Sequence, residues 1–264
     1  MKRIVILIAA AAMSGCAVSQ QQEVQMGQQY SAQIAQQLPL INDPEVVRYI
    51  NVLGDSIAHV TSRRDLDWHF YVVNSSEVNA FAVPGGYVYV NRGLIERATR
   101  MDELAGVLGH EIGHVVRRHT VKQMQQQQGA SIGVTLACIL TQVCNNQASN
   151  TAINLGANAL FAKFSRTDEA QADEEGFKNV VRAGISPEGL VTMFQKLIDE
   201  RKTSPGAVDA WFATHPLEEN RIADVQRLIN TLTPAELKQL TRDSQNFHTF
   251  KSRLATLPAA PIAR

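Results

Sequence analysis

Neither positive nor negative charge is in excess in this chain, because its 264 residues include 25 Lys and Arg and 25 Asp and Glu. No basic cluster stands out, which argues against nucleic acid as a partner. Long hydrophobic runs are missing too. The apolar stretches at residues 4–13 and 129–144 are shorter than the roughly 20 residues of a membrane-spanning helix. The sequence therefore predicts neither a bilayer-spanning helix nor a nucleic-acid function.

Cysteine is scarce, with three in the chain, and the first of them follows a secretory signal. A positively charged start and the apolar residues 4–13 precede Ser14-Gly15, the small pair before Cys16. Small residues directly before a cysteine are typical of bacterial lipoprotein signals. Residues 1–15 are therefore predicted to be removed and Cys16 to be acylated, which would anchor the chain to a membrane. Ordinary signal cleavage, with Cys16 incidental, is the alternative.

The residue after Cys16 bears on the compartment. Ala17 is not the aspartate that commonly retains such lipoproteins at the inner membrane, so we expect the outer membrane, on its periplasmic face. That compartment is oxidising, and a disulfide between Cys138 and Cys144 is plausible there. An intermolecular bridge and two free thiols are the alternatives.

The strongest chemical signal is the H-E-x-x-H motif formed by His110, Glu111 and His114. Apolar residues repeat at helical spacing through it: Leu104, Leu108, Ile112 and Val115. On a helix, positions i and i+4 share a face, so both imidazoles can bind one metal ion. Glu111 lies next to the first ligand and can act as a general base on water. The motif predicts a catalytic zinc site.

A third protein ligand is needed, because a catalytic zinc site uses three and leaves one position open to water. Glu169 and Asp173 are again i and i+4 on a predicted helix, so their carboxylates face the same way. Taken with the upstream motif, this spacing favours Glu169 as the ligand and Asp173 as the acceptor for the ring N–H of His110. A solvated acidic face is the alternative, because further acids crowd around this pair.

Two other histidines differ in context. His119 lies five residues beyond His114 and rotates off the metal face, so it is expected to be a helix-end residue. His215 stands before Pro216, at the entry to the amphipathic residues 217–229. That arrangement can aim an imidazole outward from a helix start, where it could hold a developing oxyanion. A simple helix-entry role is equally compatible with the spacing.

Three glycines interrupt the predicted metal helix: Gly106, Gly109 and Gly113. Each costs the helix about 1 kcal/mol relative to alanine. Their spacing gathers them into a stripe, which we interpret as close packing against the Glu169 helix, because a metal that bridges two helices needs their axes close together. Tolerated flexibility is the alternative.

The chain is compatible with a single α+β domain, mostly helical with a small β-sheet. Residues 16–42 are predicted to be a Gln-rich tether, residues 43–250 the catalytic domain, and residues 251–264 a flexible tail. Residues 68–73 and 87–91 are predicted strands, joined through residues 79–83 and a Pro-Gly-Gly turn. Around residues 129–144 we expect a helical hairpin over the cleft, with a surface-seeking amphipathic element as the alternative.

Several of these segments occur in an order that resembles a known family. They are Asn79-Ala80-Phe81-Ala82 with Pro84-Gly85-Gly86, the H-E-x-x-H motif, Glu169-x-x-x-Asp173, and His215-Pro216 followed by Arg221. Over roughly residues 43–229 the chain resembles the HtpX/CAAX-prenyl-protease family of zinc metalloendopeptidases, in its soluble periplasmic lipoprotein branch.

The resemblance implies a gluzincin-type fold and one zinc ion per chain, with the ligands His110, His114 and Glu169. It implies Glu111 as the base and Asp173 as the support of a ligand. His215, and with it Arg221, would line the cleft and stabilise the tetrahedral intermediate or gate the metal. Substrate backbone would pair with an edge strand at Asn79, Ala80, Phe81 and Ala82, for which an internal strand paired on both sides is the alternative.

The function expected from this resemblance is zinc-dependent cleavage of unfolded or misassembled envelope proteins. A chaperone-like role in outer-membrane assembly or maintenance, with proteolysis secondary, is the alternative. The chain has no transmembrane helices like those of the membrane-embedded relatives, so prenylated substrates are not expected. It also ends without the helical-repeat domain of some periplasmic relatives, so recruitment of partners by that route is not expected.

Overall fold

The computed structural model describes residues 18–128, 163–204, 206–216 and 219–260. Within these ranges the chain has the predicted α+β architecture, mostly helical with one three-stranded sheet. None of the described helices is both long and apolar enough to cross a membrane. Cys16, Cys138 and Cys144, together with the predicted helical hairpin, lie outside the described residues.

The described elements follow one another along the chain as α1 (Gln20–Gln37), α2 (Pro44–Ala58), β1 (His69–Val73), β2 (Ala80–Val83), β3 (Tyr87–Asn91), α3 (Arg92–Arg97), α4 (Met101–Val116), α5 (His119–Gln128), α6 (Arg166–Arg182), α7 (Glu188–Thr203), α8 (Asp209–Thr214), α9 (Glu219–Ile229), α10 (Pro234–Gln239) and α11 (Gln245–Thr256). Local chemistry sets several of the starts. Asp43 accepts hydrogen bonds from the first turn of α2, and Ser165 forms a capping box with Asp168 at the start of α6.

The sheet has the order β1-β3-β2, so β2 lies at one edge. β3 is parallel to β1, with His69 opposite Tyr87, and antiparallel to β2, with Ala80 opposite Val90. The Pro-Gly-Gly turn connects β2 to β3, and Gly85 and Gly86 have φ values of 85° and 101° there. Glycine adopts this left-handed conformation at no steric cost. The edge position that the family resemblance implied for this strand agrees with this order.

The hydrogen bonds of β2 alternate between its two sides. The N–H of Asn91 donates to the carbonyl of Asn79 at 2.9 Å, which makes these two residues a hydrogen-bonded pair. Antiparallel strands alternate bonded with non-bonded pairs, so Phe81 and Val83 bond to β3. The backbone N–H and C=O groups of Ala80 and Ala82 then point away from β3, towards the edge.

Helix α1 covers one face of the sheet. Its residues Met26, Tyr30 and Ile34 are buried together with Phe81 and Tyr89. The tether predicted for residues 16–42 is therefore wrong over residues 20–37. Its many Gln residues make the helix polar overall, but the buried positions recur every three or four residues, which is enough for one apolar stripe. The other face of the sheet packs against α2 and α4.

The C-terminal boundary also differs from the prediction. Helix α11 continues to Thr256, and Phe247, Phe250 and Leu254 are buried in the main core. The flexible tail predicted from residue 251 therefore cannot begin before the end of this helix. Leu254 packs the end of this helix into the core, although the sequence that follows it is rich in Ala and Pro.

Helices α4 and α6 approach each other at glycines. A Cβ on Gly113 would lie 2.7 Å from the carbonyl oxygen of Ala172, and one on Gly109 would lie 2.9 Å from a methyl of Val180 and 3.3 Å from the carbonyl oxygen of Gly176. Both contacts are with α6, as predicted. Gly106 differs, because its Cβ would meet Leu190 of α7 at 2.8 Å. The three glycines thus allow close packing against two helices, α6 and α7.

Two alanine substitutions separate the roles of these contacts. Gly113→Ala and Gly106→Ala each gain about 1 kcal/mol of helix propensity but suffer overpacking, which costs about 1–3 kcal/mol. We expect both to lower the thermal unfolding midpoint. Only Gly113→Ala displaces α6, which carries the predicted carboxylates, so only this variant should lose affinity for metal in a chelator competition. Equal loss of affinity in both variants would contradict this assignment.

Candidate active site

Four buried side chains, from two helices and the residue that follows a third, converge on one point. His110 and His114 come from α4, Glu169 from α6, and His215 from the residue after α8. One potential ligand atom from each lies within 4.8 Å of all the others. At most 1% of each residue is exposed. The structure therefore brings together the three predicted ligands and places His215 beside them.

The donor set fits a metal ion. The Nε2 atoms of His110 and His114 lie 3.1 Å apart, and Nε2 of His114 lies 3.3 Å from Oε1 of Glu169. The Nδ1–H of His110 donates to Asp173 at 2.8 Å, so its Nε2 presents a lone pair to the centre. Two imidazole nitrogens and one carboxylate form a set that catalytic zinc sites use. Asp173 also stands where the sequence placed it, behind His110.

Arg221, from α9, holds the two carboxylates of α6. Its Nε and Nη2 donate to the two oxygens of Asp173, at 2.7 Å each, and its Nη1 donates to Glu169. The guanidinium also lies over the ring of Phe194, 4.6 Å from its centre. Burial alone would raise the pKa of Asp173, but the charge and hydrogen bonds of Arg221 outweigh it and hold that pKa below its usual value. As placed, Arg221 orients the carboxylates.

Glu111 and His215 face each other across the centre. Nε2 of His215 lies 3.5 Å from Oε1 of Glu111, and among the described residues neither atom has a hydrogen-bond partner. Burial raises the pKa of the Glu111 carboxyl above its ordinary value. His215 adopts the extended backbone expected before Pro216, and its ring stacks on Trp211 with 4.5 Å between ring centres. Two polar atoms are thus aimed into the same space.

His119 does not lie where its spacing from His114 predicted. It is buried, and its Nδ1 lies 3.0 Å from Nδ1 of His114. The expectation that it rotates off the metal face assumed that the helix of His114 runs on. Instead α4 ends and Arg118 adopts a left-handed φ of 58°, after which His119 begins α5. The reversal turns the ring of His119 back towards His114.

Comparison with known proteins agrees with this geometry. The model of peptidase family M48 matches residues 44–229. The chain is 32% identical over 247 residues to the beta-barrel assembly-enhancing protease of Escherichia coli, covering 91% of this chain and 50% of that protein. It is 30% identical over 195 residues to the mitochondrial metalloendopeptidase OMA1 of Schizosaccharomyces pombe, covering 74% and 56%.

A third relative is metalloprotease LoiP of Escherichia coli, 28% identical over 182 residues, covering 69% of this chain and 70% of that protein. The chain spans about half the length of the beta-barrel assembly-enhancing proteases that it matches. The family model includes every residue of the buried centre, from His110 to Arg221. The match over most of the chain and the His/Glu centre within it show that this protein belongs to peptidase family M48, a family of metalloproteases.

Proposed function

We propose that this protein is a zinc-dependent endopeptidase of the bacterial envelope that cleaves unfolded or misassembled proteins. The observation that carries the proposal is the buried centre in which His110, His114 and Glu169 converge while Glu111, on the same helix, faces the same space. A catalytic metalloprotease site needs such ligands together with a carboxylate base within reach.

Each residue has a part in hydrolysis that its position supports. When bound, zinc polarises the scissile carbonyl and lowers the pKa of water. Glu111 takes the proton of the attacking water and later delivers it to the leaving amine. Asp173 keeps the proton of His110 on Nδ1, which leaves Nε2 free as a ligand. Arg221 holds Asp173 and Glu169 in place through its buried guanidinium.

His215 is given two roles, in two different positions of its side chain. In the structure it offers a fourth ligand atom beside the other three, and four protein ligands are typical of closed, structural zinc sites. Hydrolysis needs one position open, so His215 would have to leave the ligand set for a peptide to be cleaved. Displaced from the ligands, its imidazole can donate to the developing oxyanion. With His215 among the ligands, a bound metal would be closed to substrate until that imidazole moved away.

The edge strand β2 supplies a way to bind extended peptides of varied sequence. It contacts α4, the helix that carries Glu111. The backbone groups of Ala80 and Ala82 point towards the edge of the sheet, as the alternation from Asn79 and Asn91 requires. A peptide that adds a strand there would be held by backbone hydrogen bonds, which every sequence offers. Unfolded proteins should therefore be cleaved and compact folded ones spared.

The cellular setting rests on two supports. The signal-like residues 1–15 before Cys16 indicate a lipid anchor on the periplasmic face of the outer membrane. The relative from Escherichia coli that is 32% identical is named for enhancing β-barrel assembly. This name favours envelope proteins as substrates. The same name favours a second candidate function, in which the protein binds outer-membrane components during assembly and cleavage is secondary.

Glu111 is the proposed base. Glu111→Gln keeps the shape of the side chain but cannot take a proton, so it should abolish cleavage of casein while leaving the metal content at the wild-type level. The measurements are casein turnover and elemental analysis of the purified variant. Wild-type cleavage by Glu111→Gln would show that the mechanism is wrong.

The same variant separates the two candidate functions in cells. A strain that lacks this protein should regain its envelope integrity with the wild-type gene but not with Glu111→Gln. If Glu111→Gln restores every phenotype, the assembly role is primary and proteolysis secondary. Equal protein levels of the two forms, measured by immunoblot, are the control.

A further prediction concerns substrate pairing. Ala82→Pro removes a backbone donor that points away from β3 and is not needed within the sheet, so the protein should fold and bind metal. Cleavage of casein should fall at least tenfold, because the peptide loses a backbone hydrogen bond and meets a disturbed strand. Ala82→Ser, which keeps the N–H, is the matched control and should cleave at nearly the wild-type rate. Unchanged turnover in folded, metal-loaded Ala82→Pro would show that substrate does not pair with β2.

A further inference from the structure

We propose that His119 is a positioning residue for the metal ligand His114, fixing its tautomer and ring orientation as Asp173 does for His110. This inference rests on the metal centre of the proposed function. The two ligands of α4 would thus be supported by different chemistry, one by a carboxylate and the other by a neutral imidazole.

The hydrogen bonds around His119 admit one arrangement of protons when His114 binds the metal. Nε2 of His114 faces the centre, 3.3 Å from Glu169, and must be unprotonated to bind a metal. The proton of His114 is then on Nδ1, which lies 3.0 Å from Nδ1 of His119. His119 must accept there, so its own proton is on Nε2. That nitrogen lies 3.0 Å from the side-chain carbonyl oxygen of Gln171, which can only accept.

The hydrogen bonds therefore form a series in which His114 donates to His119 and His119 donates to Gln171. Metal-binding histidines nearly always donate their second ring N–H to a carboxylate, a backbone carbonyl or water. His119 takes that place here. Phe164 closes the other side of His114, with 4.0 Å between the two ring centres. The ring of His114 is thus held by contact with this tilted aromatic ring as well as by the hydrogen bond.

The backbone before His119 is held in an uncommon conformation by the N-terminal helix. Arg118, whose φ is 58°, forms an ion pair with Glu23 of α1 at 2.8 Å and donates to the carbonyl oxygen of Val18. Glu23 is fully buried and also pairs with Arg63 at 3.2 Å. These contacts fix the turn between α4 and α5, and the turn aims His119 at His114. Without them a non-glycine residue rarely keeps a positive φ.

Zinc affinity tests the inference through variants at position 119. His119→Ala removes the acceptor, and loss of such a partner typically lowers metal affinity about 10–100-fold. His119→Asn keeps an acceptor oxygen near the position of Nδ1, so it should restore affinity to within a few-fold of wild type. Competition against a chromophoric chelator measures both.

A matched control separates support of the ligand from general packing of α5. Met124 is buried on the same helix, and Met124→Ala should lower the thermal unfolding midpoint without changing zinc affinity. Wild-type affinity in His119→Ala, or equal losses in the Ala and Asn variants or in Met124→Ala, would overturn the inference while leaving the metal centre in place. A wild-type protein that binds no zinc would overturn the metal centre and the inference with it.

A measurement on the unmodified protein does not depend on how the variants fold. In zinc-loaded wild-type protein, ¹⁵N NMR of the imidazole nitrogens should show His119 as a neutral ring protonated on Nε2, and His114 protonated on Nδ1. A proton on Nδ1 of His119, or on both of its nitrogens, would exclude it as an acceptor and overturn the inference.

Discussion

The close approach of helices α4 and α6 is the contact on which the rest of the centre depends. Gly109 and Gly113 on one helix and Gly176 on the other leave no room for side chains between the backbones. A metal ion bound by both helices needs ligand atoms within a few ångströms of one another, and larger residues at the crossing would separate them. Each glycine destabilises its own helix. The close packing that the glycines allow brings the ligand atoms of the two helices near one another.

That approach also buries three carboxylates together, which is a large electrostatic cost without compensation. Glu111, Glu169 and Asp173 are at most 3% exposed, and the buried Arg221 is the guanidinium that contacts two of them. If the histidines are neutral and the three carboxylates ionised, Arg221 balances one negative charge. One divalent cation would balance the other two. Charge balance and ligand geometry therefore point to the same kind of ion.

Short-range patterns in the sequence predicted the parts of the site that depend on helical spacing. His110, Glu111 and His114, and then Glu169 and Asp173, follow from positions i and i+4. The edge position of β2 came from the family resemblance and not from such a pattern. His119 was missed because a single left-handed residue, Arg118, breaks the helix after His114, and no local pattern marks a non-glycine residue for that conformation. Helix α1 was missed because Gln dominates it, while tertiary packing against the sheet supplies its stability.

The central claim is that α4 and α6 together hold one zinc ion, and X-ray absorption at the zinc edge tests it most directly. Wild-type protein purified without added metal and dialysed should contain close to one zinc per chain. Its nearest neighbours should be nitrogen and oxygen at about 2.0–2.2 Å, with the multiple-scattering signal of imidazole and no sulfur at about 2.3 Å. Substoichiometric zinc that dialysis removes, or a nearest-neighbour set without histidine, would contradict the account.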